Sequence, residues 1–288
     1  MDRELTKPLP PSRTLFTYGM TTIVFLLSGL ALLPLLSILF EILRKGLPNL
    51  KWETLTALPA PVGVEGPNGF GNAIVGTLVM VGIAALMSVP IGVLTAVYLC
   101  EFGKQTPIAR TIRFVVSILS AVPSIVVGVF AYGVIVVTTK AFSAFAGGFA
   151  LAIIMLPVIV LATEEALKLV PVPQRLASAA LGANSMQTTF RIVLSAALPG
   201  ITTGILLAIA RAAGETAPLL LTALFSQNWI EELGKPTASL SVLIYNYSNS
   251  ASEEQYQLAW TASVILLGMV LVTSILSRLF TYKRLSSR

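Results

Sequence analysis

Six long apolar stretches govern what this chain can become, because about 20 such residues in a helix cross the ~30 Å hydrocarbon core of a bilayer. They cover roughly residues 15–40, 72–99, 114–138, 141–163, 199–224 and 257–280. Inside lipid every backbone polar group must find a partner within the protein, so stretches of this length are helices. The expected fold is therefore all-α: a polar amino-terminal segment, 1–14, followed by a six-span membrane body, 15–288. Charged residues are only 11% of the 288, against about a quarter in a soluble domain.

Several chemistries are excluded at once. The chain has no histidine, which removes imidazole metal sites, Ser–His catalysis and histidine proton relays. Its single cysteine, Cys100, cannot form an intrachain disulfide. The net charge of +6 is spread over loops and not gathered into a stripe, so nucleic acid is not an expected partner. The amino-terminal segment lacks the layout of a cleaved signal peptide.

The spread of basic residues gives an orientation instead. Arg3, Lys7, Arg13, Lys104, Arg110, Arg113, Lys168, Arg175, Arg191, Arg278, Lys283, Arg284 and Arg288 fall on one side of the six spans. Only Arg44, Lys45, Lys51, Lys140 and Lys235 fall on the other. The positive-inside rule then predicts that both termini are cytoplasmic. The short connection between the third and fourth spans is expected to turn near Gly147 and Gly148.

The cytoplasmic loop at about 164–198 is the most informative. After Pro171 and Pro173, residues 176–181 form a short helix that Gly182 can end in the left-handed region. A second surface helix, 187–197, would lead to Pro199 at the first turn of the fifth span, where a missing N–H costs nothing. The bland reading is an amphipathic loop that seals the bundle.

This stretch resembles the "EAA" loop of ABC-importer permeases: Gly182 is followed after nine residues by Ile192, and Ala177, Leu181 and Ala183 fit its surroundings; the resemblance makes these, with Ala180, Gly182 and Asn184, the candidates for coupling to an ATP-binding partner. Leu176 stands where that pattern has Glu, and Ser195 replaces a proline. The likeness continues through "GFGNAIVGTLVMVGIAALMSVPIGVLTAVYLCEF", "AVPSIVVGVF", "ILLAIARAAGETAPLLLTALF" and "ASLSVLIYNYS". Together these resemble the A-type permease family of bacterial phosphate-specific uptake systems. The resemblance implies the MetI-like importer permease fold and an inner-membrane location. It also implies a homologous second permease subunit, a pair of ATP-binding subunits seated on the loop, and a phosphate-binding protein outside. ATP and Mg would belong to the partner, since this chain has no GxxxxGK[ST] phosphate loop and is not itself an enzyme.

Within "ARAAGETAPLL", Arg211 lies 12 residues beyond Pro199, about 18 Å along a helix at ~1.5 Å per residue, and is expected near mid-bilayer. A charge there costs at least ~2.5–3.5 kcal/mol, so Glu215, four residues on, is expected to neutralise it. The pair reads either as a structural ion pair or as part of a transport path. In the second reading the guanidinium fork suits phosphate oxygens and Glu215 keeps the empty site from trapping anions. The resemblance implies the path reading. Thr216, and Pro123 and Ser124 in a kinked third span, are further path candidates. The alanines at 208, 210, 212, 213 and 217 read as a surface for a second permease. Asn72, Gly76 and Thr77 read as packing, Trp52, Trp229 and Trp260 as interfacial anchors, and Tyr245 and Tyr247 as part of an outer surface. Rival readings are an ion-gradient transporter, a permease for sulfate, phosphonate or molybdate, and an intramembrane hydrolase.

Overall fold

The computed structural model describes residues 11–63 and 66–286; Arg3, Lys7 and Arg288, counted above for orientation, lie outside them. Among the described residues every regular element is a helix: α1 (Pro11–Gly46), α2 (Trp52–Thr56), α3 (Gly71–Phe102), α4 (Pro107–Ala121), α5 (Ser124–Thr139), α6 (Ala144–Lys168), α7 (Val172–Ala180), α8 (Ser185–Ala213), α9 (Ala217–Thr222), α10 (Leu240–Ser248) and α11 (Glu253–Ser286). Five of them are long and apolar enough to span a bilayer: α1, α3, α6, α8 and α11. The sixth expected span is α4 plus α5, bent by 106° at Val122–Pro123. Pro123 supplies the physical cause: it donates no hydrogen bond to the preceding turn and disfavours helical backbone at Val122. The mild kink expected from sequence is thus a full break.

The centre of the bundle is the α3–α6 pair, joined by α8. Small residues set its spacing. A Cβ on Gly148 would fall 2.6 Å from Ile83, and one on Gly147 2.7 Å from Met80. These glycines are therefore buried inside α6 as a close helix contact, and not in the expected turn. That turn is made by residues 140–143, with Lys140 in the left-handed region (φ 55°) and Ser143 capping α6 through Ala146 N–H.

A second expectation also changes. The fifth span begins at Ser185, so the second surface helix is simply its first turns, with a wide π-turn at Thr188–Val193, and Pro199 is an interior residue. The span then ends at Ala213, well before residue 224. The alanines at 208, 210, 212 and 213 are buried within this chain, those at 208, 212 and 213 in the α3–α6 core, and so do not form an outer surface.

At the end of the bundle that carries α10, the packing reading of Asn72, Gly76 and Thr77 describes what the side chains do. Asn72 is buried and donates to the carbonyls of Ser226 and Asn228, at 2.9 and 3.3 Å. Gly76 leaves room for the Ala238 carbonyl, and Thr77 Oγ1 accepts from Leu240 N–H at 2.9 Å. Tyr247 is buried and only Tyr245 is exposed, so the two do not share one outer surface. α1 packs against α11, where Gly46 meets the Trp260 backbone, and Lys45 lies 4.8 Å over the Trp260 ring.

Candidate functional site

α8 stops at Gly214, whose N–H bonds the Arg211 carbonyl at 3.1 Å, and Glu215 N–H bonds that of Ala212 at 3.2 Å. These tightened bonds end the helix, and Pro218 starts α9 because a first-turn proline has no hydrogen bond to lose. Gly214 has φ −91°, and a Cβ there would touch nothing closer than 3.6 Å in this chain. The close approach occurs instead at Gly128 of α5, where a Cβ would lie 2.7 Å from Pro218 Cα.

Arg211 therefore sits in the last turn of α8 and not in mid-helix, favourably placed at the negative end of the helix dipole. Its Nε lies 3.9 Å from Glu215 Oε1; the arginine side chain is 60% exposed on the isolated chain, the glutamate 17%. Glu215 is steadied through its backbone, whose carbonyl accepts from Ser241 Oγ at 2.8 Å. Ser241 belongs to α10, and sequence reading missed it because a serine in an apolar helix carries no signal of its partner.

Arg211 and Glu215 border a cleft of about 410 Å³. Pro123 and Ser124 line the same cleft, together with Ser120 of α4 and Pro157 of α6. The break between α4 and α5 lies on this wall, where the Ser124 and Ile125 amides precede the first backbone bonds of α5, made by Val126 and Val127 N–H to the Pro123 carbonyl. Four of the five path candidates are thus brought together. Thr216 is not among the cleft residues; its carbonyl accepts from Leu219 and Leu220 N–H at the start of α9.

At the other end of α8, α7 and the turn after it form a compact protrusion. Gly182 adopts φ +83°, which ends α7 as expected. Asn184 then starts α8 with a capping box: its Oδ1 accepts from Gln187 N–H at 2.8 Å, and Gln187 Oε1 accepts from Asn184 N–H at 3.0 Å. Ala177, Ala180 and Leu181 are exposed, Leu181 at 89%, while Ala183 is half-buried. A hydroxyl pair absent from the sequence expectations, Ser178 and Thr188 at 2.9 Å, fastens α7 to α8.

Residues 88–286 match the family model described as binding-protein-dependent transport system inner membrane component. The chain is 41% identical over 244 residues to the phosphate transport system permease protein PstA of Haemophilus influenzae, covering 84% of this chain and 86% of that one. This chain belongs to the PstA family of transport permeases. Solved structures show the same fold at low identity. An inward-facing MetNI methionine ABC transporter chain matches with TM-score 0.59 and 20% identity, covering 85% of this chain and 97% of its own. A chain of a bacterial alginate ABC transporter, in complex with an alginate-bound periplasmic protein, matches with TM-score 0.63 and 14% identity, covering 92% and 93%. This PstA-family member is accordingly a multi-pass membrane subunit of an ABC transporter with the importer permease fold, and not a catalytic enzyme.

Proposed function

We propose that the chain is the membrane subunit through which an ATP-driven importer passes inorganic phosphate across the cytoplasmic membrane. The observation that carries this reading is Arg211, an exposed guanidinium on a cleft at the end of a membrane helix, with Glu215 beside it. An exposed arginine whose acidic neighbour stands 3.9 Å away is not held in a closed, hydrogen-bonded ion pair, so its donors remain available to a ligand or a partner. The named PstA relative of Haemophilus influenzae, a phosphate transport permease, supports phosphate as the anion.

The remaining parts follow from this reading. The exposed side of Arg211 faces a homologous second permease, so that the path runs along the junction of the two. α7, with Leu176 and Leu181 exposed, seats in an ATP-binding subunit on the cytoplasmic side, and a pair of those subunits hydrolyses ATP with Mg. A phosphate-binding protein delivers substrate at the opposite face, near α10. Both termini are cytoplasmic. In the path the guanidinium donates to phosphate oxygens in a fork, the α5 amides add partial positive charge, and Glu215 competes for the arginine so that release remains possible.

The deciding experiment is uptake of labelled phosphate by cells whose only copy of this subunit carries Arg211→Ala or Arg211→Lys. With assembly at wild-type levels, uptake falls at least about tenfold in the alanine variant, the loss of one charge-assisted contact. Uptake at the wild-type rate would remove Arg211 from the path.

A further inference from the structure

Two arginines bind the α7 end of the bundle in a crossed pattern that no path candidate uses. Arg113 of α4 donates from Nε to Glu164 of α6 at 3.1 Å and from Nη2 to the Leu99 carbonyl of α3 at 3.0 Å. Arg175 of α7 does the reverse: Nη1 donates to Glu101 of α3, and Nη2 to the Leu167 carbonyl of α6 at 2.9 Å. Each guanidinium takes a carboxylate from one helix of the central pair and a carbonyl from the other. Lys168 adds a second cation to Glu164 at 3.2 Å. The Arg175 and Glu101 side chains are only 20% and 12% exposed, so their attraction is little screened by water or salt.

Connectivity alone links α7 to α6, through Leu169–Pro171, and to α8, through 181–184. It gives α7 no hold on α3. Arg175 supplies one, and a fork of two fixed N–H directions resists rotation as a single lysine bond cannot. From the end of α3 the link continues: Leu99 carbonyl to Arg113, then along α4 to Leu119 and Ser120, which line the Arg211 cleft. Arg175 itself turns inward, away from the exposed Leu176 and Leu181.

We infer that Arg175 is a positioning residue that transmits displacement of the α7 protrusion into the α3–α6 pair and α4, and so couples ATP hydrolysis by the partner to opening of the Arg211 cleft. This rests on the importer reading above. An Arg–Glu bridge serving only to hold the fold would stabilise the subunit without altering how much substrate moves per ATP.

The test uses the assembled transporter in proteoliposomes, with hydrolysis and labelled phosphate uptake measured on the same sample. In Arg175→Ala and Glu101→Gln the ATP-binding subunit stays bound and hydrolysis continues. Phosphate moved per ATP falls about tenfold in each, as for loss of a charge-assisted bond, and the double variant is no worse than either single one. Arg175→Lys, which keeps the charge and loses the fork, recovers only part. An unchanged ratio in Arg175→Ala, or uptake and hydrolysis falling in proportion, overturns the inference. A second measurement needs no phosphate: spin labels at Lys104→Cys and Gln174→Cys, both exposed, report the distance between the α3–α4 turn and α7. One narrow distance with and without ATP, broadened by Arg175→Ala, is the expected result; a distribution that Arg175→Ala leaves unchanged overturns the inference. Were the wild-type complex to move no phosphate, the importer reading would fail, and the spin-label distances would still decide the role of Arg175.

Discussion

Arg211 and Glu215 are four residues apart, yet only Arg211 belongs to the helix: the chain leaves α8 at Gly214, and the two charges stand 3.9 Å from each other. That separation exceeds a hydrogen bond, so Glu215 offsets the charge without occupying the guanidinium's donors. Neutralising the acid should then leave the arginine holding an anion more tightly. In Glu215→Gln we expect the KM for phosphate uptake to fall severalfold and the maximal rate to fall with it, because a stronger ground-state hold slows release. Concentration-dependent uptake checks this, and a raised KM would contradict the competing role.

The packing of α5 on α9, which follows Glu215, depends on one glycine. Gly128 lets α5 pass so close to Pro218 that an added Cβ would meet its Cα at 2.7 Å, with Leu221 at 3.2 Å. Proline backbone cannot yield as a flexible side-chain tip could. Gly128→Ala should therefore cost ~1–3 kcal/mol as an overpacked contact and displace α9. Thermal unfolding in detergent should show a lowered midpoint for this variant and none for Gly133→Ala, where nothing lies within 4 Å.

These two sites also mark the boundary of what was legible. Length and hydropathy located the five helices long and apolar enough to cross a bilayer, and read the broken α4–α5 pair as a sixth, because about 20 apolar residues are needed to cross. Pro171 and Gly182 carried their own backbone signals and bound α7, whereas the Asn184 cap that starts α8 three residues before the expected 187 was not read. The ends of helices inside the apolar stretches were not legible: residues 199–224 are uniformly apolar whether they form one span or stop at Ala213. The break falls at Gly214, with Pro218 in the first turn of the next helix. Likewise, Arg113, Arg175, Glu101 and Glu164 were visible only as loop charges, since pairings 51 and 74 residues apart depend on which helices meet. The pair at 211 and 215 was found because two charges in an apolar background stand out in sequence alone, although the helix that carries Arg211 runs from Ser185 to Ala213 and not from 199 to 224 as expected.

The protrusion offers the last prediction. Leu181, 89% exposed beside the left-handed Gly182, makes no structural contribution that a polar residue would forfeit, while Asn184 holds the following helix in place through its capping box. The two should separate docking from folding. Leu181→Asp should leave thermal stability within about 0.5 kcal/mol of wild type, as for a surface change. It should nonetheless reduce co-purification of the ATP-binding subunit, because an aspartate carries its hydration shell into an apolar seat. Asn184→Ala should cost ~0.5–2 kcal/mol through lost capping and loosen the whole α7–α8 turn, lowering both the melting midpoint and subunit retention. Pull-down and melting measured side by side distinguish them. Loss of stability in Leu181→Asp, or full retention of the ATP-binding subunit by it, would show that α7 is not seated through its exposed tip.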